Sequence, residues 1–267
     1  MAIITLDQAI SGMQYPREIV KGLTGTMVAG RPHSTFYLPG QPGAAVAPTP
    51  GLAGAALTSY AGQIPFNNPV VGNTYLSRFV AQSTIAGQLL LCDRLWHNSG
   101  ITITQITAHT INSVTWPARD VSGSTNGNGV YIGVEVSAAT GAGVPTLTIG
   151  YTNQDGTAGR TATNIVPTVA SSIAGTFYPI GLQAGDTGVR SVQSFTLSAT
   201  WTSGTIHLVA YRVLARLPLS LANTPSSIDT FTSGFVRMYD NTVPFVIFIP
   251  STTTTSNITG NVTWTQG

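Results

Sequence analysis

The chain has 267 residues and is 42% hydrophobic but only 7% charged, with eleven basic against nine acidic side chains. A soluble domain is ordinarily about a quarter charged, so a surface this neutral repels its neighbours weakly and points to an assembly component covered by other protein. Ten scattered Arg and one Lys exclude the basic clusters that nucleic-acid binding needs, and no run nears the roughly 18 apolar residues that span a bilayer.

The single cysteine, Cys92, rules out an internal disulfide framework. Beside Leu89, Leu90 and Leu91 it reads as a small buried hydrophobe. The first residues lack the basic and then apolar pattern of a secretory leader, so assembly in a cytoplasm is expected.

Thr5 to Val20 carries the best helix pattern. Thr5 or Asp7 can cap it, Leu6, Ile10 and Met13 share one face, and Gly12 and Pro16 keep it short. Pro32 to Ser77 follows with no Asp, Glu, Lys or Arg and with seven prolines and six glycines. Such a segment is neither a helix nor a central strand, and it lacks the charge that keeps a disordered linker solvated. Its apolar knots are Phe36, Tyr37, Leu38, Leu52, Leu57, Tyr60, Ile64 and Phe66. These make it an extended arm that docks either on its own domain or on a neighbouring subunit, and they are its expected partner interface.

Strands succeed one another from Tyr75. Val130, Ile132, Val134 and Val136 alternate with polar or small residues, and Leu147, Ile149 and Tyr151 repeat the pattern. A turn at Asn153–Gly156 and a return strand near Arg160–Ile165 predict a hairpin. Phe195, Leu197, Ala199 and Trp201 alternate again, with Val192 out of phase, which predicts a bulge near Gln193. Ile206–Leu214 is apolar on both parities and predicts a central strand. Phe245–Ile249 is an uncharged run that must be paired and covered to avoid aggregation. Ile258, Val262 and Trp264 belong to the last strand. Eight to ten strands predict an all-β fold, an antiparallel β-sandwich of jelly-roll type, with a helix and arm in residues 1–74 and the sandwich in residues 75–267.

No chemistry is legible. His33, His97, His109 and His207 lack the spacing that presents two imidazoles to one metal. Asp93 and Asp120 each have an Arg as sequence neighbour and read as structural ion pairs at a sheet margin. Ser122–Gly129 lacks the Lys and following helix of a phosphate loop. Trp96, Trp116, Trp201 and Trp264 read as core plugs before a sugar platform.

Four stretches resemble a poorly characterised group of tailed-bacteriophage virion proteins. They are Gly51–Phe66 (GLAGAALTSYAGQIPF), Leu91–Gly100 (LCDRLWHNSG), Gly185–Val192 (GDTGVRSV) and Gly204–Arg212 (GTIHLVAYR). The resemblance implies a non-enzymatic capsid-associated protein of cement or decoration type, without catalytic residues or cofactor. It would bind the major capsid protein or other virion proteins, form homo-oligomers, and touch neither nucleic acid nor membrane. The alternative is a tail or head-fibre module binding cell-surface glycan, which would need Trp96 or Trp116 exposed in a groove.

Overall fold

The structure is a computed structural model that describes residues 3–234 and 236–267. Helix α1 (Leu6–Ser11) begins at Thr5, whose side chain accepts from the Gln8 amide while Gln8 caps the Thr5 amide in return. It ends well before Val20, because Pro16 cannot continue the amide ladder and extends the residue before it. Residues 17–20 of the expected helix belong instead to strand β1 (Arg17–Met27).

The arm contributes three two-residue strands, β2 (His33–Ser34), β3 (Gly40–Gln41) and β4 (Ala55–Ala56). Then follow β5 (Thr74–Ser83), β6 (Gly87–His97), β7 (His109–Thr110) and β8 (Val130–Ala138). The expected hairpin is β9 (Leu147–Asn153) with β10 (Arg160–Thr163), in register Arg160 to Tyr151. After β11 (Phe177–Pro179) comes β12 (Val189–Leu197), whose pairing to β9 slips between Val192 and Ser194, at the expected bulge. The longest strand, β13 (Thr205–Leu219), precedes β14 (Ser226–Asp229), helix α2 (Thr230–Ser233), β15 (Arg237–Met238), β16 (Pro244–Pro250) and β17 (Thr254–Gln266).

The strands form three antiparallel sheets in a sandwich-like arrangement, where the sequence predicted two. One outer sheet runs β14-β5-β17-β1-β3 with β15 also on β5, the other β10-β9-β12-β7, and the central sheet β11-β8-β13-β6-β16-β2 with β4 on β6. As expected, β13 is central. The Phe245–Ile249 run lies in β16, paired by β6 on one edge and β2 on the other.

The central sheet closes on itself. Its two end strands meet at a bridge between His33 and Thr176, with the Ser34 amide donating to Gly175 and the Phe177 amide to Pro32. Six strands therefore make a ring, and alternation sends their side chains outward and inward in turn. Outward, Val130, Ile132, Val134, Ile206 and Leu208 pack on Ile149, Tyr151 and Phe195 of the β9 sheet. Further along β6, β13 and β16, Leu89, Leu91, Leu217 and Phe248 pack on Phe79, Ile258, Val262 and Trp264 of the β5 sheet. An extra residue at Leu95 on β6 and another at Leu214 on β13 let each strand serve both cores. Inward, Leu90, Cys92, Val209, Phe245 and Ile247 form a third core with Phe36 and Phe177. Phe177, whose register partner on β8 is Glu135, has room because Gly133 lies two residues along the same face: a Cβ there would lie 2.1 Å from the ring's Cζ.

Candidate functional site

The arm seals one end of the ring. Phe36, 1% exposed, stacks on Tyr60 with centroids 5.8 Å apart and meets Phe245 edge-on. Beneath it the Arg94 guanidinium carbon sits 4.5 Å from the Phe36 centroid, a geometry the ring quadrupole favours. Arg94 Nη1 is 2.8 Å from Glu135 Oε2, and both side chains are fully buried. Tyr37 Oη donates to the same carboxylate oxygen at 3.0 Å, so the arm's hydroxyl is part of the ion pair. Burial and the Glu135 charge push the Tyr37 phenol pKa well above the ordinary tyrosine range.

Two histidines complete this layer. Arg94 Nε donates to His97 Nδ1 at 3.2 Å, and Tyr60 packs edge-on against the same imidazole. Burial, with Arg94 adding to it, pushes the His97 pKa far below its usual value. His207 Nδ1 lies 2.9 Å from the Asn98 carbonyl, and Nε2 lies 2.7 Å from Ser137 Oγ; burial lowers its pKa too. Among the described residues no group of three His, Cys, Asp or Glu could hold a metal ion. The buried Cys92 thiol has its pKa pushed up by burial, which is the setting of an inert cysteine.

A second anchor lies between the two outer cores. Asp93 does not pair with its neighbour Arg94, which points to the opposite face of β6. It holds Arg119 through both carboxylate oxygens, at 2.9 Å to Nε and 3.1 Å to Nη2. Arg119 also donates to the Leu57 carbonyl of the arm at 2.7 Å and to the Arg94 carbonyl at 3.1 Å. The ion pair expected at a sheet margin is therefore in the interior, and it joins two sequence-distant dipeptides. Asp120, the remaining member, forms no salt bridge among the described residues. It gathers the amides of Ser122, Ser124 and Asn128 and the Ser124 hydroxyl, so those donors hold its pKa below the carboxylate range against the opposing effect of burial. The Ser122–Gly129 loop is folded around that carboxylate.

The only lysine is a third anchor. Lys21, 2% exposed, donates from Nζ to the arm carbonyls of Leu38 at 3.0 Å and Pro42 at 2.6 Å. Among the described residues no carboxylate is bonded to it, and desolvation brings its pKa down to about 8.

All eight apolar arm residues singled out in the sequence lie against their own chain. Phe36, Leu38, Leu57 and Ile64 are buried, and Tyr37, Leu52, Tyr60 and Phe66 are half-buried. Phe36, Tyr37 and Tyr60 come together at the ring. Leu38, Ile64 and Phe66 join the β5-sheet core, and Leu52 packs on the β9-sheet core. All four tryptophans are buried, with Trp116 the most exposed at 3%.

The exposed apolar side chains are elsewhere, and most were not singled out as a surface. Helix α1 is fixed to β17 by Thr265 Oγ1 donating to the Ala9 carbonyl and Gln266 N to Gly12, yet it buries no residue. Leu6, Ile10, Met13 and Tyr15 are 62%, 59%, 49% and 82% exposed. Ser77 touches Met13 through its hydroxyl and accepts from Thr230 of α2 through its carbonyl, which brings Phe231, 86% exposed, to the same end. Asn73 pairs with Gly267 and Gln266 reaches Asn67, so Val70 and Val71, both exposed, border it as well. The helix face legible in the sequence is real, but it points to solvent.

No family model matches the chain, and no curated protein does. Among solved structures, that of the infectious bursal disease virus VP2 subviral particle aligns at 10% identity over 96% of this chain and 82% of that one, with a TM-score of 0.19. A structure of the Gt strain of the same virus aligns at 10% identity over 95% and 82%, with a TM-score of 0.21. Likenesses of this size assign neither family nor function.

Proposed function

We propose that the chain is a non-enzymatic structural protein of a virus particle, a bacteriophage capsid component of cement or decoration type. It binds the major capsid protein or other virion proteins and its own copies, and it is assembled in the host cytoplasm. The observation that carries this reading is the uncovered apolar end of the β5 sheet, where Leu6, Ile10, Met13, Tyr15, Val70, Val71 and Phe231 meet solvent in a chain that is 7% charged. Exposed apolar side chains gathered in one region mark surfaces that another molecule covers.

The arm's role follows from its anchors. Because Phe36, Leu38, Leu57 and Ile64 are core residues, the arm offers a partner its half-buried Tyr37, Leu52, Tyr60 and Phe66 together with its outer edge around Val46 and Val70. Attachment built on apolar area depends weakly on salt. All four tryptophans are buried, so the glycan-binding alternative would have to use other side chains.

The test is immunogold labelling of purified particles from the source lysate, followed by reattachment of the wild-type chain and of the double variant Leu6→Asp, Ile10→Asp. Gold over the head and loss of reattachment in the variant are expected. Gold confined to the tail would replace the capsid reading with the host-recognition one, and particles carrying none of the protein would overturn the virion reading altogether.

A further inference from the structure

The arm closes one end of the ring and leaves the other open. The open mouth is a cavity of about 540 Å³, within the range of small-molecule sites, which favour the mouths of β-barrels. Its floor is Leu90, Phe177, Tyr211 and Ile247, and its wall includes Val213 and Ile249. Of all the residues lining it, Arg216 alone is charged. That guanidinium has one hydrogen bond, Nη1 to Gln88 Oε1 at 3.3 Å, and no carboxylate partner among the described residues.

A second feature points inward. Tyr211 is only 6% exposed, and its hydroxyl, which bonds to no protein group among the described residues, opens onto the cavity. Tyr131 lies across from it, with ring centroids 6.2 Å apart. Burial raises the Tyr211 phenol pKa, and Arg216 is near enough to oppose that rise, so the hydroxyl stays protonated and able to donate. An apolar floor, an unused phenol donor and a lone cation at the rim complement one kind of molecule: a hydrocarbon body ending in an anionic acceptor.

We propose that the open mouth of the ring binds a free medium-chain carboxylate, its tail on Val213, Ile249 and Tyr131 above the buried floor and its carboxylate between Tyr211 and Arg216. Neither the virion reading nor its test is needed for this, since binding is measured on the isolated chain.

Calorimetric titration with laurate below its micellar concentration, compared with dodecanol and dodecyltrimethylammonium, tests it. One saturable site for laurate is expected, with the cation bound at least about tenfold more weakly, since a charge-assisted hydrogen bond contributes about 1.5 kcal/mol or more. Arg216→Gln, at an exposed position whose loss leaves the fold intact, should weaken laurate about tenfold and leave dodecanol unchanged. Tyr211→Phe should weaken it by about fivefold, and Val213→Trp, filling the cavity, should abolish binding with the melting temperature retained as a check on folding. Absence of saturable binding, equal affinity for the cation, or an unaffected Arg216→Gln variant would each overturn the assignment.

Discussion

Replacing Arg119 by methionine tests the claim that a buried ion pair holds the arm to the domain. The change removes two bonds to Asp93 and the donors to the Leu57 and Arg94 carbonyls, while the hydrocarbon stem is kept. Asp93, with no exposed surface, is left with the Val243 amide. Removing one partner of a buried pair costs about 3–5 kcal/mol, because the other charge loses its compensation. Unfolding entropy of about 2.1 cal/mol/K per residue over 267 residues gives roughly 0.56 kcal/mol/K. The melting temperature should therefore fall by about 5–9 °C. The double variant Asp93→Leu, Arg119→Met should recover most of that loss, since the buried charge is gone from both sides. Differential scanning calorimetry at neutral pH measures both, and limited proteolysis between Pro48 and Tyr60 reports whether the arm loosens. A drop below about 2 °C, or a double variant worse than the single one, would refute the reasoning.

Acid should weaken the fold through its neutral histidines. His33, whose pKa burial and Arg31 lower to about 4, and His97 and His207, lowered chiefly by burial, bind protons in the unfolded chain before they do in the native one. Their contribution is whole above pH 6.5 and declines as pH falls toward 4, by at most about 1.4 kcal/mol per pH unit for each. Urea unfolding between pH 7 and 5 should show the decline, with a shallower slope in His97→Gln; equal slopes would contradict the assignment. Lys21 has the same sign in an alkaline window: its pKa is lowered to about 8 from 10.5, so the unfolded chain holds the extra proton between those values. Wild-type stability should rise relative to Lys21→Met from pH 7.5 to 9.5, and a constant difference would argue against a desolvated ammonium. Gly133→Val places a side chain where Phe177 enters the ring. It should destabilise by about 1–3 kcal/mol or more, read as a lower urea midpoint; an unchanged midpoint would mean that Phe177 is not held there.

Strand identity was largely local and therefore legible. Alternation at Val130–Val136 and Leu147–Tyr151 marks side chains that face a core and solvent or a second core in turn. The out-of-phase Val192 announced a bulge because a single extra residue flips the pattern. Arg17–Met27 was missed because its pairing partner, β17, is more than 200 residues away, and a helix pattern upstream ran into it.

The site was legible in its residue types and not in its partners. The sequence by itself determined that this is an all-β chain with a poorly charged surface and a proline-rich arm bearing aromatic knots, because composition and period act over a few residues at a time. It also marked Asp93, Arg94, Arg119 and Asp120 as residues needing partners. Only the tertiary structure decided that Asp93 takes Arg119, that Arg94 takes Glu135, and that the central sheet closes through His33 and Thr176. The same holds for the two apolar sets. Phe36 and Leu6 look alike along the chain, yet one is buried in a ring of strands and the other is left facing solvent. Burial is a property of what lies across from a residue in space, and that is set by long-range pairing which no local pattern encodes.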